Sequence, residues 1–244
     1  MGDLPKLKEN NQVYCSLLIP ILALNLIMNQ VVIFDLDGVI IDSEPIHFTL
    51  EKQMFRELNI DVSFSEHNSY VGTSLQNMWE SIIRKHKVSY DPGELTRRKN
   101  EIYLKYLQEH HLHPIEGVTE LIKDLHKNNF KLLIASSSDM KIIEIVLKKF
   151  QLVNFFKAMV SGTELTHSKP HPEIFLKAAK LAECETKKCV VIEDSENGVK
   201  AARAAGMKCV GFLNPNSGNQ DLRKANIIIK SFRELDTNKI QYLD

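Results

Sequence analysis

Short, uninterrupted apolar runs rich in β-branched residues recur along the chain and predict buried strands. They lie at residues 31–34, 131–135, 158–160, 189–192, 208–212 and 227–229. Apolar residues at three- and four-residue spacing, as in Leu121, Ile122 and Leu125 before the second run, predict helices between these runs. Strands separated by single helices form parallel sheets with right-handed crossovers. The pattern therefore predicts an α/β fold around a parallel sheet.

The segment between the first two predicted strands has a helical pattern throughout. Helical spacing begins after Asp42, where Ser43 can cap a helix and Pro45 fits its first turn. Further helices are predicted at about 74–86 and 92–110, and no strand-like run interrupts them. We therefore expect an all-helical insert in an α/β core.

This pattern divides the chain into predicted parts. The parts are an N-terminal extension at residues 1–28, a core domain at 29–42 and 115–244, and the helical insert at 43–114. The insert leaves and re-enters the core at neighbouring points, as inserted domains do. We expect Asp42 and Ser43 to form the hinge between core and insert.

The first 28 residues do not continue the pattern of the core. Residues 13–28 are mostly apolar, but they contain Pro20 and Asn25 and are too few to cross a bilayer comfortably. Lys6 and Lys8 precede an apolar run as in a secretory signal, yet no small-residue cleavage site follows. We expect an extension outside the fold, with a signal peptide and a docked extra element as the alternatives.

Charge and cysteine content narrow the choice of partners and compartment. Lys+Arg and Asp+Glu both number 31, so the net charge is zero and no global field attracts nucleic acid or an anionic membrane. The 4 cysteines have neither C-x-x-C nor zinc-finger spacing, which fits a reducing, cytoplasmic environment. We expect neither nucleic acid nor a membrane as partner, and a monomer, since no coiled-coil pattern is present.

Polar side chains with catalytic potential follow the predicted strands at the point where each strand ends. They are Asp35 and Asp37, Ser136 and Ser137, and Glu193 and Asp194, with Lys169 on an intervening loop. Parallel strands bring these ends to one edge of the sheet, where ligands bind in α/β proteins. Clustered carboxylates repel one another unless a cation is bound, and oxygen ligands alone favour Mg²⁺. Carboxylates, Mg²⁺, a lysine and a hydroxyl together suit phosphoryl transfer.

These residues resemble the four ordered motifs of the haloacid dehalogenase superfamily of phosphohydrolases. The matching segments are Phe34-Asp35-Leu36-Asp37-Gly38-Val39, Ser136, Lys169-Pro170 and Glu193-Asp194-Ser195. The helical insert resembles the C1-type cap of the β-phosphoglucomutase-like branch. The resemblance implies a Rossmann-like core with strand order 5-4-1-2-3.

The resemblance also implies roles for the acidic residues. Asp35 is the expected nucleophile, because the acyl phosphate that it forms is readily hydrolysed in a second step. Asp37 is the expected general acid and base. Mg²⁺ is expected between the Asp35 carboxylate, the Asp37 backbone carbonyl and Asp194, with Glu193 as a direct or an indirect ligand.

The remaining motif residues are expected to hold the phosphoryl group. Lys169 would balance the charge between Asp35 and the substrate. Ser136 would donate a hydrogen bond to a phosphoryl oxygen, helped by the backbone amide of Ser137. In the insert, His47 and Lys99 match positions that reach the substrate in sugar phosphomutases; a buried interface histidine and a solvated lysine are the alternatives.

One residue separates two activities that the branch contains. Mutases of this branch carry an arginine after the Gly-x-Ser turn of the cap, whereas Gly72-Thr73-Ser74 is followed here by Leu75. Leucine cannot form the bidentate contact that a second phosphate group needs. The sequence therefore favours a Mg²⁺-dependent phosphatase of a small phosphorylated metabolite, most simply a sugar phosphate. A β-phosphoglucomutase-type enzyme is the alternative, and a non-catalytic binding module is a third reading.

Other catalytic patterns receive no support. The chain contains neither the G-x-S-x-G of serine hydrolases nor the G-x-x-x-x-G-K-[ST] of P-loop proteins. The group His110, His111 and His113 has metal-binding side chains, but we expect it to be the solvated end of a helix.

Overall fold

The computed structural model describes residues 30–70 and 73–244. Our prediction for residues 1–28 and the glycine of the Gly72-Thr73-Ser74 turn therefore lie outside the described residues. No helix within the described ranges has the length and apolar character needed to cross a membrane.

Six parallel strands form a single sheet in the described part of the chain. They are β1 (Val31–Phe34), β2 (Lys131–Ser136), β3 (Phe156–Ser161), β4 (Cys189–Glu193), β5 (Lys208–Phe212) and β6 (Ile227–Ile229). Their order is β3-β2-β1-β4-β5-β6. This confirms the α/β fold and, read from the other side, the order 5-4-1-2-3, with β6 added at the edge beside β5.

Helices alternate with these strands as the periodicity predicts. Those of the core are α5 (Val118–Lys127), α6 (Met140–Lys149), α7 (Glu173–Ala182), α8 (Glu196–Ala204) and α9 (Thr237–Gln241). Side chains of β1 alternate between two fully buried layers, with Val32 and Phe34 on one face of the sheet and Val31 and Ile33 on the other. The sheet is thus covered on both faces, which leaves its strand ends as the place for a site.

Four helices form the insert between β1 and α5. They are α1 (Glu44–Glu57), α2 (Phe64–Asn68), α3 (Leu75–His86) and α4 (Pro92–Glu109). They have an apolar core of their own, in which Met54, Trp79 and Ile82 are fully buried. The two connections to the sheet run side by side, since Ile115 N–H donates to Ile40 O at 2.9 Å. The exact domain boundaries stay a prediction.

The short helix α2 is not foreseen by the sequence. It has only five residues, too few to show a helical repeat, and its first turn is held by Ser63, whose hydroxyl accepts from Glu66 N–H. This helix carries His67, a buried residue whose partner comes from α1. Because the sequence did not predict this helix, it did not predict the contact between His67 and α1 either.

Candidate active site

The register of the sheet brings the ends of β1, β2 and β4 to one row. Phe34 lies opposite Ile134 on one side and Ile192 on the other. Asp35 follows at once, and its N–H donates to Ile192 O at 3.0 Å. The next positions along the three strands are therefore Asp35, Ala135 and Glu193. This places the predicted carboxylates side by side.

Lys169 lies between two of these carboxylates. Its Nζ is 2.6 Å from Asp35 Oδ1 and 2.6 Å from Glu193 Oε1, and it also donates to Ala135 O at 3.3 Å. All three charged side chains are buried. Burial alone would lower the pKa of Lys169, but the two carboxylates raise it above its usual range. The lysine is therefore a fixed positive charge at the inner end of the site.

Glu193 is held by donors on both carboxylate oxygens. Oε1 accepts from Lys169, while Oε2 accepts from the N–H groups of Asp194 and Ser195 at 3.0 Å and from the Ser195 hydroxyl at 2.9 Å. The start of α8 packs directly on this carboxylate, and a β-carbon at Gly198 would lie 1.8 Å from the Glu193 carboxyl carbon. Only glycine allows this approach, so Gly198 belongs to the site although its sequence context does not mark it.

The Asp194 carboxylate packs just as closely against a glycine, Gly38, in the turn after β1. A β-carbon at Gly38 would lie 1.9 Å from Asp194 Oδ2, and Gly38 has a φ of +75° that suits glycine. The same carboxylate accepts a hydrogen bond from the Ser217 hydroxyl. Gly38 thus has a second function beyond the turn expected from the sequence, because its missing side chain makes room for Asp194.

The carboxylates of Asp35, Glu193 and Asp194 form a suitable site for a hard cation. Ligand oxygens of all three lie within 4.8 Å of one another. Burial first, and then the neighbouring carboxylates, raise the pKa values of Asp35 and Asp194 above their usual range. Among the described residues, Lys169 is the one cation bonded to this group, so negative charge is left over. An oxygen-only donor set with excess negative charge fits Mg²⁺.

Asp37 lies apart from this group and is surrounded by donors. Its Oδ1 accepts from the Ser43 hydroxyl at 2.6 Å and contacts His47 Nε2 at 3.4 Å, while its Oδ2 accepts from the hydroxyls of Ser138 at 2.6 Å and Ser136 at 3.3 Å. Burial raises its pKa, but the bonds from His47, Ser138 and Ser43 outweigh this and hold the pKa well below the usual range. Asp37 is therefore ionised at neutral pH.

The Ser43 side chain does not cap α1, although its position predicts that it would. Ser43 occupies the N-cap of α1, but its side chain makes no cap hydrogen bond and donates to Asp37 instead. It is thus a residue of the site as well as of the predicted hinge. Ser43 and Ser138 were missed as site residues, although the run Ser136–Ser138 after β2 is a signal for the second of them.

His47 and Lys99 form a connected pair in the helical insert. Lys99 Nζ lies 2.7 Å from His47 Nδ1, so Nδ1 accepts and Nε2 carries the proton that faces Asp37. Burial first, and then the Lys99 charge, lower the pKa of His47. The insert is therefore linked to the sheet edge through a neutral histidine.

Glu51 contacts Lys99, and His67 in turn contacts Glu51. Glu51 Oε1 lies 3.4 Å from Lys99 Nζ, and Glu51 Oε2 lies 2.5 Å from His67 Nε2. Lys99 and Glu51 are each 4% exposed and His67 is 5% exposed. Glu51 stands four residues after His47 on α1, a spacing that puts both on one helix face. That spacing was the signal for Glu51, whereas nothing near His67 in the sequence marks it.

A cavity of about 980 Å³ lies between the sheet edge and the insert. Asp35, Asp37 and Lys169 line one side, and Lys99 and Leu75 line the other. The polar groups on the insert side are mainly uncharged: Tyr70, Thr73, Ser74, Gln76, Asn77, Thr96 and Asn100. Ser136 and Ser137 also line the cavity. All the site residues expected from the sequence therefore border one space.

Comparison with known proteins identifies this arrangement. A model of the haloacid dehalogenase-like hydrolase family matches residues 32–212, which span β1 to β5. The chain belongs to the haloacid dehalogenase-like hydrolases. The match includes every motif segment from Phe34 to Ser195, so it confirms the resemblance stated from the sequence.

Curated relatives of this hydrolase include enzymes with different activities. β-Phosphoglucomutase of Bacillus subtilis is 31% identical over 84% of this chain and 91% of its own length. Fructose-1-phosphate phosphatase YqaB of Escherichia coli is 30% identical over 73% of this chain and 93% of its own. The Arabidopsis thaliana protein SUPPRESSOR OF QUENCHING 1, chloroplastic, is 34% identical over 73% of this chain, but the match spans only 17% of that protein.

Among solved structures, the β-phosphoglucomutase of Clostridium difficile is similar over most of this hydrolase. It superposes with a TM-score of 0.78 at 29% identity and covers 87% of this chain and 96% of that one. The shared region includes the helical insert as well as the sheet, because the described core alone would cover less of the chain. The likeness therefore extends over both parts that border the cavity.

The insert side of this hydrolase's cavity has a distinctive charge pattern. Leu75, the first residue of α3, borders the cavity where the sequence comparison expected an arginine in a mutase. No arginine lines the cavity among the described residues. Glu44 also borders it, and burial, followed by the charges of Asp37 and Glu51, raises the pKa of Glu44 to about 8. The insert thus offers one lysine to an anion and several groups suited to hydroxyls.

Proposed function

We propose that the protein is a Mg²⁺-dependent phosphatase that hydrolyses a small sugar monophosphate through an aspartyl phosphate at Asp35. One observation carries the proposal. A buried carboxylate, held by a lysine at 2.6 Å, lies at the inner end of a cavity beside a second carboxylate that is kept ionised. Membership of a hydrolase family and relatives that act on phosphorylated sugars support the same chemistry.

The first step assigns the attack to Asp35. Lys169 bonds Oδ1, which leaves Oδ2 as the oxygen that attacks phosphorus, and the bond from phosphorus to the sugar oxygen breaks as the new bond forms. Lys169 offsets the negative charge of the phosphoryl group, and Ser136 and the Ser137 amide donate to its oxygens. The product is a mixed anhydride that water hydrolyses readily.

Asp37 moves the protons in this scheme. Its low pKa suits the second step, in which it accepts a proton from the water that attacks the aspartyl phosphate. In the first step Asp37 gives a proton to the leaving oxygen, so it must first be protonated. This requires Ser43 and His47 to stop donating to Asp37 Oδ1 and to donate to the substrate instead. His47 therefore couples the position of the insert to the protonation of Asp37.

The carboxylates of Asp35 and Asp194, together with the Asp37 backbone carbonyl, would hold Mg²⁺, and Glu193 would support them. When bound, the cation supplies neutralisation of the negative charge on the phosphoryl oxygens. Glu193 has donors on both oxygens already, which favours a positioning role for it over direct coordination.

Phosphatase activity is favoured over mutase activity by the insert. A mutase must hold a bisphosphate in both orientations, and Lys99 is the one lysine or arginine that the described insert places at the cavity. The mutase stays the second candidate because His47 and Lys99 are both present and a β-phosphoglucomutase is a relative. Cytoplasmic location, a monomeric state and the absence of nucleic-acid and membrane partners stay predictions from the sequence.

The products formed from β-glucose 1-phosphate distinguish the candidates. With Mg²⁺ and a trace of glucose bisphosphate, we expect free phosphate as the main product, measured beside glucose 6-phosphate in one reaction. A panel of sugar monophosphates should then reveal the preferred substrate. The Asp35→Asn variant gives the background rate. Glucose 6-phosphate as the main product would establish the mutase, and no turnover of any panel member would favour the binding module.

Replacing Lys99 by methionine should raise KM for the preferred sugar phosphate by about 10-fold or more, with a smaller change in kcat. The reason is that Lys99 is the insert's charged contact to the anionic substrate, and one charge-assisted hydrogen bond contributes about 1.5–3 kcal/mol. Steady-state kinetics on the folded variant measure the effect. Lys105→Met, on the exposed face of the same helix, is the control and should leave KM unchanged. An unaltered KM in Lys99→Met would remove this lysine from the substrate site.

A further inference from the structure

Three metal-binding side chains converge on the loop that carries Lys169. His167 and His171 stand on either side of Lys169 in the chain, and Glu173 is the first residue of α7. Their ligand atoms all lie within 4.8 Å of one another. His167 and His171 line the mouth of the cavity, whereas Lys169 points to its buried end. This group is separate from the carboxylates of Asp35, Glu193 and Asp194.

The distances match those between ligands of one small ion. Glu173 Oε2 lies 2.9 Å from His167 Nδ1 and 4.0 Å from His171 Nδ1. Ligand atoms around a tetrahedral ion with bonds of about 2.0–2.1 Å are about 3.3 Å apart, midway between these values. Small rotations of exposed side chains are enough to equalise them. The geometry therefore needs little rearrangement to accept an ion.

The carboxylate of Glu173 is already oriented. It accepts from the N–H groups of Thr166 at 3.3 Å and His167 at 2.9 Å, which fix it against the loop. The His171 Nδ1 accepts a long bond of 3.3 Å from the Glu173 N–H, so it carries no proton, and an ion would take the place of this weak bond. The His167 Nδ1 donates to Glu173 Oε2 at 2.9 Å and would release its proton on binding an ion. The two imidazole rings stack with centroids 4.3 Å apart. Two ring nitrogens and one oxygen are thus presented together.

We propose that His167, His171 and Glu173 bind one divalent transition-metal ion, for which Zn²⁺ is the test ion. Two imidazoles and a carboxylate suit Zn²⁺, whereas Mg²⁺ prefers oxygen ligands. The exposed position of the group leaves room for water as a fourth ligand. An ion bound here would tie both sides of the Lys169 loop to the start of α7. The same loop contacts the insert, since Asn77 Nδ2 donates to Ser168 Oγ at 2.8 Å.

Calorimetric titration of the full chain with Zn²⁺, in the presence of excess Mg²⁺, tests this site. We expect one equivalent to bind, and both His167→Ala and His171→Ala to weaken binding at least 10-fold. These residues are exposed, so both variants should keep the wild-type melting temperature. His111→Ala and Cys184→Ser remove other candidate ligands and should leave the affinity unchanged.

Three results would overturn the proposal. They are the absence of Zn²⁺ binding in excess Mg²⁺, wild-type affinity in both histidine variants, and loss of binding in Asp194→Asn with the histidine variants unaffected. The last result would place the ion at the carboxylates instead. None of these outcomes depends on turnover, so this test is independent of the proposed phosphatase activity.

Discussion

Replacing Asp35 by asparagine is expected to lower kcat for the preferred sugar phosphate by about 10³-fold or more. Asparagine keeps the size of the side chain and an oxygen that can accept from Lys169, but its amide is not a nucleophile. The wild-type protein should acquire an acid-labile phosphoryl group during turnover, and the variant should acquire none. Single-turnover assays and mass spectrometry of the quenched protein measure both effects.

The stability of this variant should not fall. Asp35 is one of three clustered buried carboxylates, of which Asp35 and Glu193 contact Lys169, and burial raises the pKa of Asp35 so that its ionised form is disfavoured in the fold. Removing its charge relieves repulsion, so the melting temperature measured with a chelator should equal or exceed that of the wild type. Asp61→Asn makes the same exchange at an exposed position and should change neither activity nor melting. Retained turnover in a folded Asp35→Asn protein would rule out Asp35 as the nucleophile.

Replacing Lys169 by methionine should have the second-largest effect, because it removes the charge between two buried carboxylates. Removing one partner of a buried ion pair lowers the unfolding free energy by roughly 3–5 kcal/mol. Turnover should fall by about 10²-fold or more, since Asp35 then lacks its positioning contact and the phosphoryl group lacks a counter-charge. Denaturant unfolding and steady-state kinetics measure the two losses separately.

The stability loss in Lys169→Met should depend on pH. Without the lysine, the folded-state pKa of Asp35 rises further above its unfolded value, so the folded protein binds more protons than the unfolded one. Under this condition the unfolding free energy falls as pH rises through the two pKa values. Because the folded-state pKa of Asp35 is already about 8 in the wild type, the deficit relative to wild type should grow as the pH is raised above about 8 and change little between neutral pH and 5.

An exposed lysine provides the matched control for this substitution. Lys177→Met lies on α7, one to two turns from the same loop, and its partner Glu164 is also exposed. We expect little change in stability or turnover there, because exposed ion pairs contribute at most about 1 kcal/mol. A Lys169→Met protein as stable and active as Lys177→Met would contradict the assignment of Lys169 to the site.

The sequence was sufficient to place the catalytic edge. Each apolar run such as Val31–Phe34 predicts a strand from local composition alone, and the crossover rule makes neighbouring strands parallel. The residues that follow those runs, Asp35, Ser136 and Glu193, must then lie at one edge whatever the details of packing. The family motifs gave the same residues by resemblance, and the family match confirmed that membership.

The sequence did not predict hydrogen bonds whose partners come from different parts of the fold. Ser43 has the residue type and position of an N-cap, yet its hydroxyl donates to Asp37 and accepts no bond from the backbone N–H groups of α1, because a hydrogen bond to a buried charged carboxylate is stronger than a neutral cap bond. Glu51 and His67 come from separate helices, and the contacts of Glu51 with His67 and with Lys99 depend on how α1, α2 and α4 pack.

By itself, then, the sequence determined the parallel sheet and the identity of the charged groups at its strand ends, since these follow from short-range periodicity and chain connectivity. The order of the strands came from the family resemblance. Only the tertiary structure decided the charge state of those groups. Asp37 is kept ionised by donors from two different segments, the start of α1 and the loop after β2, and Asp35 shares Lys169 with Glu193 across distant parts of the chain. Electrostatic energies depend on distances and burial between such segments, which no local pattern contains.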